Sequence, residues 1–281
     1  MSLVFSRPRS LKPAIFHYCP GCGHSIIHRL TAEVIDELGI RERTIGIPPA
    51  GCAVLAYFYF DVDMTEAPHG RGAAVATGIK RLQPDRIVFS YQGDGDLAAI
   101  GTAETIHAAN RGERVTTLFV NNACYGMTGG QMAPTTLLGM HSTTTPGGRS
   151  ALAHGSPIQI CELLKVFDGV AYLERTAVDS PKNILRTKKA IRRAFQAQME
   201  DRGFSLVEIL SPCPTNWKKS PIESMRWIGQ VMSKHFPLGV VKDFESATTS
   251  PDAGAAGGAG GSPGPSGPAA APAASESDDA A

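Results

Sequence analysis

The chain has 281 residues, of which 42% are hydrophobic, and its formal net charge is +1. A charge so close to neutral gives no electrostatic reason to expect nucleic acid or an anionic membrane as partner. No apolar run approaches the roughly 20 residues of a membrane-spanning helix, and the N-terminus lacks the apolar core of a secretory signal. We therefore expect a cytoplasmic globular protein whose six cysteines are thiols, metal ligands or redox groups rather than disulfides.

The composition changes near residue 246. The stretch 246–281 consists mostly of Ala, Gly, Pro and Ser with a short acidic end, and it has too little apolar bulk to offset the entropy lost on folding. We predict one folded domain over residues 1–245 and a disordered tail over residues 246–281.

Helix-like and strand-like segments alternate along the predicted domain. The first helix has apolar residues at helical spacing and a glycine in place to end it. The predicted segments, in chain order, are a helix at 23–39, a strand at 43–47, helix 74–82, strand 86–91, helix 97–109, strand 115–120, helix 181–200 and strand 204–210. Continuous apolar strands alternating with helices predict an α/β fold with a mostly parallel sheet and helices on both faces.

Chemically active side chains follow four of the predicted strands. In open α/β sheets, ligands bind beyond the carboxyl ends of the strands. These positions hold, in turn, Gly51 and Cys52, then Gly93 to Asp96, then Asn121 to Tyr125, and finally Cys213. We therefore expect carboxylate, carboxamide and thiol groups to share one edge of the sheet.

Asp94 and Asn122 are separated by one strand–helix–strand unit, so adjacent parallel strands would bring them together. Mg²⁺ prefers oxygen ligands and typically takes one or two protein groups together with ligand phosphates. The glycines of "QGDGD" let backbone N–H groups approach a diphosphate, and the helix predicted from Leu97 points its positive end there. Separately, a Gly-Asp turn and an Asn turn are ordinary loop chemistry. Their paired spacing favours a metal–diphosphate site.

Four cysteines form a second constellation. Cys19 and Cys22 make a C-x-x-C in "HYCPGCGHS", and Cys52 and Cys213 each follow a strand. Four thiolates suit a [4Fe–4S] cluster or a structural zinc ion, and a redox disulfide between Cys19 and Cys22 is a third option. Spacing alone does not rank these alternatives.

The motifs resemble a known family. "GDGD" followed by "NN" resembles the Mg²⁺–thiamine diphosphate motif of thiamine-dependent enzymes. In order, "CPGCGH", "GCAV", "HGR", "YQGDGD", "NNACYGMTGGQ" and "SPCPTNW" look like the β subunit of 2-oxoacid:ferredoxin oxidoreductases, over about residues 13–243. The resemblance is to the 2-oxoglutarate and 2-oxoisovalerate members, and it implies a thiamine diphosphate-binding domain of the PP type.

The resemblance implies three cofactors: thiamine diphosphate, Mg²⁺ and one [4Fe–4S] cluster. It implies Mg²⁺ ligation by Asp94, Asn122 and the backbone carbonyl of Cys124, and cluster ligation by Cys19, Cys22, Cys52 and Cys213. The implied cofactor-binding residues are Gly51, Cys52, His69, Gly93, Asp94, Gly95, Asp96, Asn122, Tyr125, Gly126, Met127 and Thr128. The implied catalytic residues are Gly51, His69, Arg71 and Gln131.

Other candidate residues receive lesser roles. Asp96 is expected to orient its loop rather than to bind metal. Cys124 and Cys161 match no cluster-ligand position, and we interpret their side chains as ordinary buried thiols. His24, like most of the other histidines, belongs to no further motif and is treated as structural or exposed.

The reaction implied by the resemblance is CoA-dependent oxidative decarboxylation of a 2-oxoacid to acyl-CoA and CO₂, with electrons passed singly through the cluster to ferredoxin. Thiamine catalysis also needs a carboxylate on the aminopyrimidine, which the family takes from a partner α subunit. We therefore expect the chain to be inactive alone. No ferredoxin-like run of four closely spaced cysteines occurs, so any further clusters belong to other subunits.

Two positions bear on the choice of 2-oxoacid. Some family members that accept acidic substrates have Lys in a "TKGQ" version of the loop and a basic residue three positions after the third cluster cysteine. Here these positions are Gly129 and Leu55. The missing cations favour an aliphatic substrate of the 2-oxoisovalerate type, whereas closely similar chains are assigned to 2-oxoglutarate, so both remain open.

Two other functions also remain open. One is a non-redox thiamine-dependent lyase whose cysteines hold zinc. The other is a zinc-stabilised binding subunit without catalysis.

Overall fold

The computed structural model describes residues 6–245, and the tail predicted over 246–281 lies outside them. The described part contains a seven-stranded sheet with the order β2-β1-β3-β4-β6-β5-β7. Every neighbouring pair of strands is parallel except β5 with β7. The strands are β1 Thr44–Ile47, β2 Asp63–Met64, β3 Ile87–Gly93, β4 Thr116–Asn121, β5 Val170–Ala177, β6 Phe204–Leu210 and β7 Gly239–Lys242.

Helices connect these strands. The α-helices are α1 His24–Glu37, α2 Gly72–Leu82, α3 Thr102–Asn110, α4 Ala151–His154, α5 Ile160–Leu164, α6 Pro181–Met199, α7 Pro214–Trp217, α8 Pro221–Trp227 and α9 Ser233–His235. Short 3₁₀ segments lie at Arg41–Arg43 and Val54–Phe58, and π-helical turns at Asp96–Ile100 and Ile228–Met232. Within residues 6–245, no helix has both the length and the apolar character that crossing a bilayer requires.

The sheet is covered on both faces. Alternate residues of β3 point to opposite sides, so Phe89 packs with apolar residues of α1 and α6, while Val88 packs with those of α2 and α3. Burying one such large side chain contributes about 1.5–3 kcal/mol. The observed architecture confirms the predicted α/β class, and it places the loops after β1, β3, β4 and β6 along one edge of the sheet.

The predicted helix at 97–109 is divided in two. A π-helical turn occupies Asp96–Ile100, and α3 begins only after Gly101. The backbone N–H of Gly101 donates to the carbonyl oxygen of Asp96 over 2.8 Å, a five-residue step that widens the turn. The prediction of one continuous helix was therefore wrong at its start, which is the part beside the candidate site.

The sequence pattern did not predict β5. Its Arg175 is a charged residue in a fully buried strand, which interrupts the apolar run expected of such a strand. Arg175 Nε donates to Glu208 Oε2 of the adjacent strand over 2.8 Å, and its Nη2 lies 2.5 Å from Glu162 Oε2. Burial of this guanidinium is possible because carboxylates from elsewhere in the chain pair with it.

Candidate functional site

A pocket opens at the carboxyl ends of β1, β3 and β4. Every residue predicted to bind cofactor lines it: Gly51, Cys52, His69, Gly93, Asp94, Gly95, Asp96, Asn122, Tyr125, Gly126, Met127 and Thr128. The loops that carry them follow neighbouring parallel strands, so sheet order brings them together.

Asp94 lies at the base of this pocket and is 2% exposed. Its carboxylate accepts hydrogen bonds from Thr135 Oγ1 at 2.7 Å, Gly95 N at 3.0 Å and Cys124 N at 3.1 Å. Burial raises the pKa of Asp94 to about 7. Within the part of the chain that the structure describes, no Lys, Arg or His pairs with this carboxylate. A buried carboxylate that has hydrogen-bond donors but no counter-charge fits a cation such as Mg²⁺.

The loop after β4 is held by the residue that precedes Asn122. Asn121 Oδ1 accepts from Ala123 N at 3.2 Å, and Ala123 has a φ of 58°, a left-handed conformation that is unusual for alanine. Asn121 Nδ2 donates to the buried Glu208 Oε1 at 2.8 Å. The paired Arg175–Glu208 side chains therefore support the turn that presents the Asn122 side chain and the Cys124 backbone.

Asp96 contacts other loops of the pocket. It accepts hydrogen bonds from the backbone N–H of Gly70 and from the side-chain amide of Gln92. It also pairs with His69 Nδ1 at 3.1 Å, and the same nitrogen lies 2.8 Å from the carbonyl oxygen of Ala50. These contacts fix the His69 ring at the pocket wall and give Asp96 an orienting position.

Arg71 and Gln131, both predicted to be catalytic, are not among the residues that line the pocket. Arg71 Nη1 pairs with Glu104 Oε1 at 2.6 Å. Gln131 Oε1 accepts from Thr128 Oγ1 at 2.6 Å, and Gln131 Nε2 donates to the Thr128 carbonyl oxygen at 2.8 Å. Gln131 thus supports a pocket residue, and a catalytic role for either residue stays a prediction.

The C-x-x-C loop packs on the segment around Cys213. A Cβ added at Gly23 would lie 2.4 Å from Ser211 Oγ, and one at Gly21 would lie 2.5 Å from the Cβ of Pro221. Such close approaches leave no room for side chains at these two glycines. The loop that carries Cys19 and Cys22 is therefore in direct contact with the chain on both sides of Cys213.

The four predicted cluster cysteines lie within electrostatic range of one another. Burial raises the pKa of Cys22 to about 12, and negative charge on Cys213 and Cys19 adds to this effect. Burial also raises the pKa of Cys52 to about 12, with further contributions from the other three thiols and from Asp94. Four thiols this close ionise together only if positive charge is supplied, which is what a bound metal group provides. No three His, Cys, Asp or Glu side chains in residues 6–245 form a group that could hold a metal ion.

Cys124 and Cys161, the two cysteines outside the predicted cluster, have different surroundings. Cys161 is a buried thiol within the apolar layer that contains α5 and β6. Cys124 Sγ, in contrast, lies 3.6 Å from Asn122 Oδ1, and interaction with the Cys213 thiol raises the pKa of Cys124 and lowers that of Cys213. Cys124 is buried, as predicted, but it also interacts with one residue of each candidate site, Asn122 and Cys213.

Sequence analysis missed two polar residues of the pocket. His24 and Tyr91 both line the pocket, and His24 Nδ1 lies 2.9 Å from the Tyr91 hydroxyl. Burial lowers the pKa of His24 to about 3, so this imidazole is neutral at physiological pH. The position of His24 directly after "CPGCG" was the only sequence signal that could have identified it.

Gly93→Ala is expected to weaken thiamine diphosphate binding at least about tenfold, which corresponds to about 1.4 kcal/mol. A Cβ at Gly93 would meet no protein atom within 4 Å, so the methyl group would occupy pocket space without disturbing the fold. Calorimetric titration with thiamine diphosphate and Mg²⁺ measures the effect. The control is Gly147→Ala, an exposed glycine whose added Cβ also meets nothing. Equal affinity of the two variants for thiamine diphosphate would show that the bound cofactor does not contact Gly93.

Comparison with known proteins adds three independent similarities. The family model described as thiamine pyrophosphate enzyme, C-terminal TPP binding domain, matches residues 51–209. The 2-oxoglutarate synthase subunit KorB of Methanocaldococcus jannaschii is 34% identical over 218 residues, which is 75% of this chain and 76% of that subunit. The solved 2-oxoglutarate:ferredoxin oxidoreductase from Magnetococcus marinus, which has 2-oxoglutarate, coenzyme A and succinyl-CoA bound, aligns with a TM-score of 0.69 at 26% identity over 85% of each chain.

A longer relative has a higher sequence identity to this chain than the KorB subunit has. The ketoisovalerate oxidoreductase subunit VorA of Methanothermobacter thermautotrophicus is 49% identical over 248 residues, or 88% of this chain. The chain spans only 52% of the length of that subunit.

Proposed function

The chain belongs to the family of thiamine pyrophosphate-binding subunits of 2-oxoacid:ferredoxin oxidoreductases, and we propose that it is the β subunit of such an enzyme. The proposed reaction is the oxidative decarboxylation of a 2-oxoacid to acyl-CoA and CO₂, with one-electron transfer to ferredoxin. The proximity of the pocket to the four thiols carries this proposal. Charges on Cys52 and Cys213 interact with Asp94, and this supports a proposed diphosphate site that adjoins the four thiols within one chain.

The pocket residues fit thiamine diphosphate and Mg²⁺. Asp94, Asn122 and the Cys124 carbonyl would hold the metal, while Gly51 and Gly93 leave open space where side chains would otherwise stand. When bound, thiamine diphosphate supplies the carbon nucleophile and the electron sink for decarboxylation, and the cluster supplies an acceptor for single electrons. The chain's own residues bind and orient these groups, and the buried wall formed by His24 and Tyr91 keeps water from that side.

The four thiols suit a [4Fe–4S] cluster better than a single metal ion, because each thiolate of such a cluster binds a different iron, whereas no three of the described side chains form a group that could hold one ion. Cys19, Cys22, Cys52 and Cys213 would each supply one thiolate. Interaction with the backbone N–H groups of Gly23 and His24 lowers the pKa of Cys22 against the effect of burial. Such donors stabilise a thiolate and support the role of Cys22 as a ligand.

The pocket favours an aliphatic substrate. Among the described residues that line it, none is Lys or Arg, burial keeps His24 neutral, and His69 is already paired with Asp96. A second carboxylate, as in 2-oxoglutarate, would therefore find little positive charge from this chain. The higher identity to the ketoisovalerate subunit, 49% against 34%, supports the same choice, and we propose a branched-chain 2-oxoacid.

The site needs a partner subunit. Asp94 and Asp96 are the carboxylates among the described pocket residues, and the first is assigned to Mg²⁺ while the second is held by Gly70 and Gln92. Neither is free to act on the aminopyrimidine ring. We propose that an α subunit supplies that carboxylate, that ferredoxin and coenzyme A bind the assembled complex, and that the complex is cytoplasmic.

The test is metal, sulfide and electron paramagnetic resonance analysis of the protein purified anaerobically with its co-purifying subunits, followed by assay with two substrates. We expect about four irons and four acid-labile sulfides per chain beyond those of other subunits. We also expect faster CoA-dependent reduction of an electron acceptor with 2-oxoisovalerate than with 2-oxoglutarate. One zinc per chain without iron or sulfide would reject the redox function, and the reverse substrate order would reject only the aliphatic assignment.

A further inference from the structure

The turn directly after Cys213 contacts both parts of the site. Asn216, in α7, places its side-chain nitrogen 2.9 Å from the carbonyl oxygen of Gly126 and 3.3 Å from the sulfur of Cys213. Gly126 lines the cofactor pocket, whereas Cys213 is a proposed cluster ligand. One side chain therefore joins two loops that are far apart in the sequence.

The two contacts together determine how the amide is oriented. A carboxamide nitrogen carries two N–H groups, while its oxygen carries none. The Gly126 carbonyl oxygen and the Cys213 sulfur are both acceptors, so the nitrogen of Asn216 must face them and give one N–H to each. Neither contact can be lost without leaving a donor of this half-buried amide unused.

The loop formed by residues 126–130 packs directly against the Asn216 side chain. A Cβ added at Gly130 would lie 3.0 Å from the Asn216 side chain, and one at Gly126 would lie 3.0 Å from the sulfur of Cys52. Residues 126–130 therefore lie against Asn216 and Cys52, and the same stretch carries the pocket residues Met127 and Thr128. Movement of this loop changes the position of the Gly126 carbonyl and hence of the amide.

The neighbouring residue makes a parallel contact. Trp217 is 9% exposed, and its indole N–H donates to the carbonyl oxygen of Asn122 at 3.0 Å. Two successive side chains of α7 thus hold the two halves of the loop that follows β4. The turn after Cys213 is a common support for the proposed Mg²⁺ ligand and for the pocket wall.

We infer that Asn216 is a positioning residue that couples the cofactor loop to the electronic state of Cys213. This inference rests on the proposed function, because it assigns Cys213 to the iron–sulfur cluster. An N–H donated to a ligand sulfur stabilises the more negative, reduced cluster and so raises its reduction potential. Because the same amide holds Gly126, thiamine diphosphate binding and cluster potential are linked, and each influences the other.

The test compares Asn216→Leu and Asn216→Asp with Thr215→Ala, a matched control on the same turn whose side chain is exposed. The complex is purified anaerobically, and the midpoint potential is followed by electron paramagnetic resonance with and without thiamine diphosphate and Mg²⁺. In Asn216→Leu we expect a more negative potential and a several-fold higher Kd for thiamine diphosphate. Asn216→Asp, which places negative charge beside Cys213, should shift the potential further in the same direction. Thr215→Ala should match the wild type in both measurements.

Two results distinguish failure of this inference from failure of the proposed function. Wild-type protein without iron or sulfide would reject the proposed function before any variant is made. Iron-loaded Asn216 variants with wild-type potentials would overturn the inference while leaving the proposed function intact. Loss of iron from both Asn216 variants but not from Thr215→Ala, with unchanged circular dichroism, would also overturn it, because Asn216 would then hold the cluster in place rather than tune its potential.

Discussion

Asp94→Asn is expected to abolish retention of thiamine diphosphate through purification while the chain stays folded. The substitution keeps the shape of the side chain but removes the negative charge that the proposed Mg²⁺ site requires. Loss of residues that merely support a metal ligand typically costs 10–100-fold in affinity, so loss of a direct ligand should cost at least about 100-fold. Cofactor content after gel filtration and calorimetric titration measure the change.

Although Asp94→Asn should weaken cofactor binding, it should not destabilise the cofactor-free chain at neutral or higher pH. Burial raises the pKa of Asp94 from 3.8 to about 7, so the folded chain prefers the protonated carboxyl. The protonated carboxyl therefore makes its full contribution to the free energy of unfolding below about pH 4. That contribution is lost as the pH rises through about 7, with a slope of about 1.4 kcal/mol per pH unit between these values. At pH 8 the cofactor-free Asp94→Asn variant should therefore melt no lower than the wild type, and its advantage should disappear near pH 4.

The control for this prediction is Asp168→Asn, which makes the same chemical change at an exposed position. It should retain cofactor and show no comparable pH-dependent difference. Cofactor binding by Asp94→Asn at wild-type affinity would remove Asp94 from the metal site. A variant that melts far below the wild type at pH 8 would instead show that the charged carboxylate stabilises the cofactor-free fold.

Cys22→Ala is expected to lose nearly all of the iron–sulfur cluster assigned to this chain. A cluster held by four thiolates retains an open iron site when one ligand is removed, and such sites are readily lost to solvent. Binding of thiamine diphosphate should persist, because Cys22 does not line the pocket. Iron and sulfide content, together with the electron paramagnetic resonance signal, measure the loss.

Cys161→Ala provides the matched comparison, since it removes a thiol that is fully buried in the apolar core away from the proposed ligands. It should cost about 1 kcal/mol of stability for the small cavity and retain the full iron content. If Cys22→Ala kept its iron, Cys22 would not be a ligand. If both variants lost it, the effect would reflect general destabilisation.

Much of the fold could be predicted from local sequence. The strands at 86–91, 115–120 and 204–210 were identified because apolar runs between turn signals are the pattern of buried parallel strands. The pocket residues of "QGDGD" and "NNACYGMT" were identifiable because each motif directly follows one of those strands. Parallel strand order then places both motifs at one edge without further information.

Tertiary structure alone decided which way individual side chains turn. Arg71 pairs with Glu104 rather than facing the pocket, and His24 lines the pocket although its only sequence signal is its position after "CPGCG". The buried Arg175 depends on carboxylates from other elements, so its strand could not be recognised from its own residues. Asn216 acquires its position only when Gly126 and Cys213 meet. Sequence pattern determines which backbone segments form, but hydrogen-bond and ion-pair partners come from residues far along the chain, and those partners set the direction of each polar side chain.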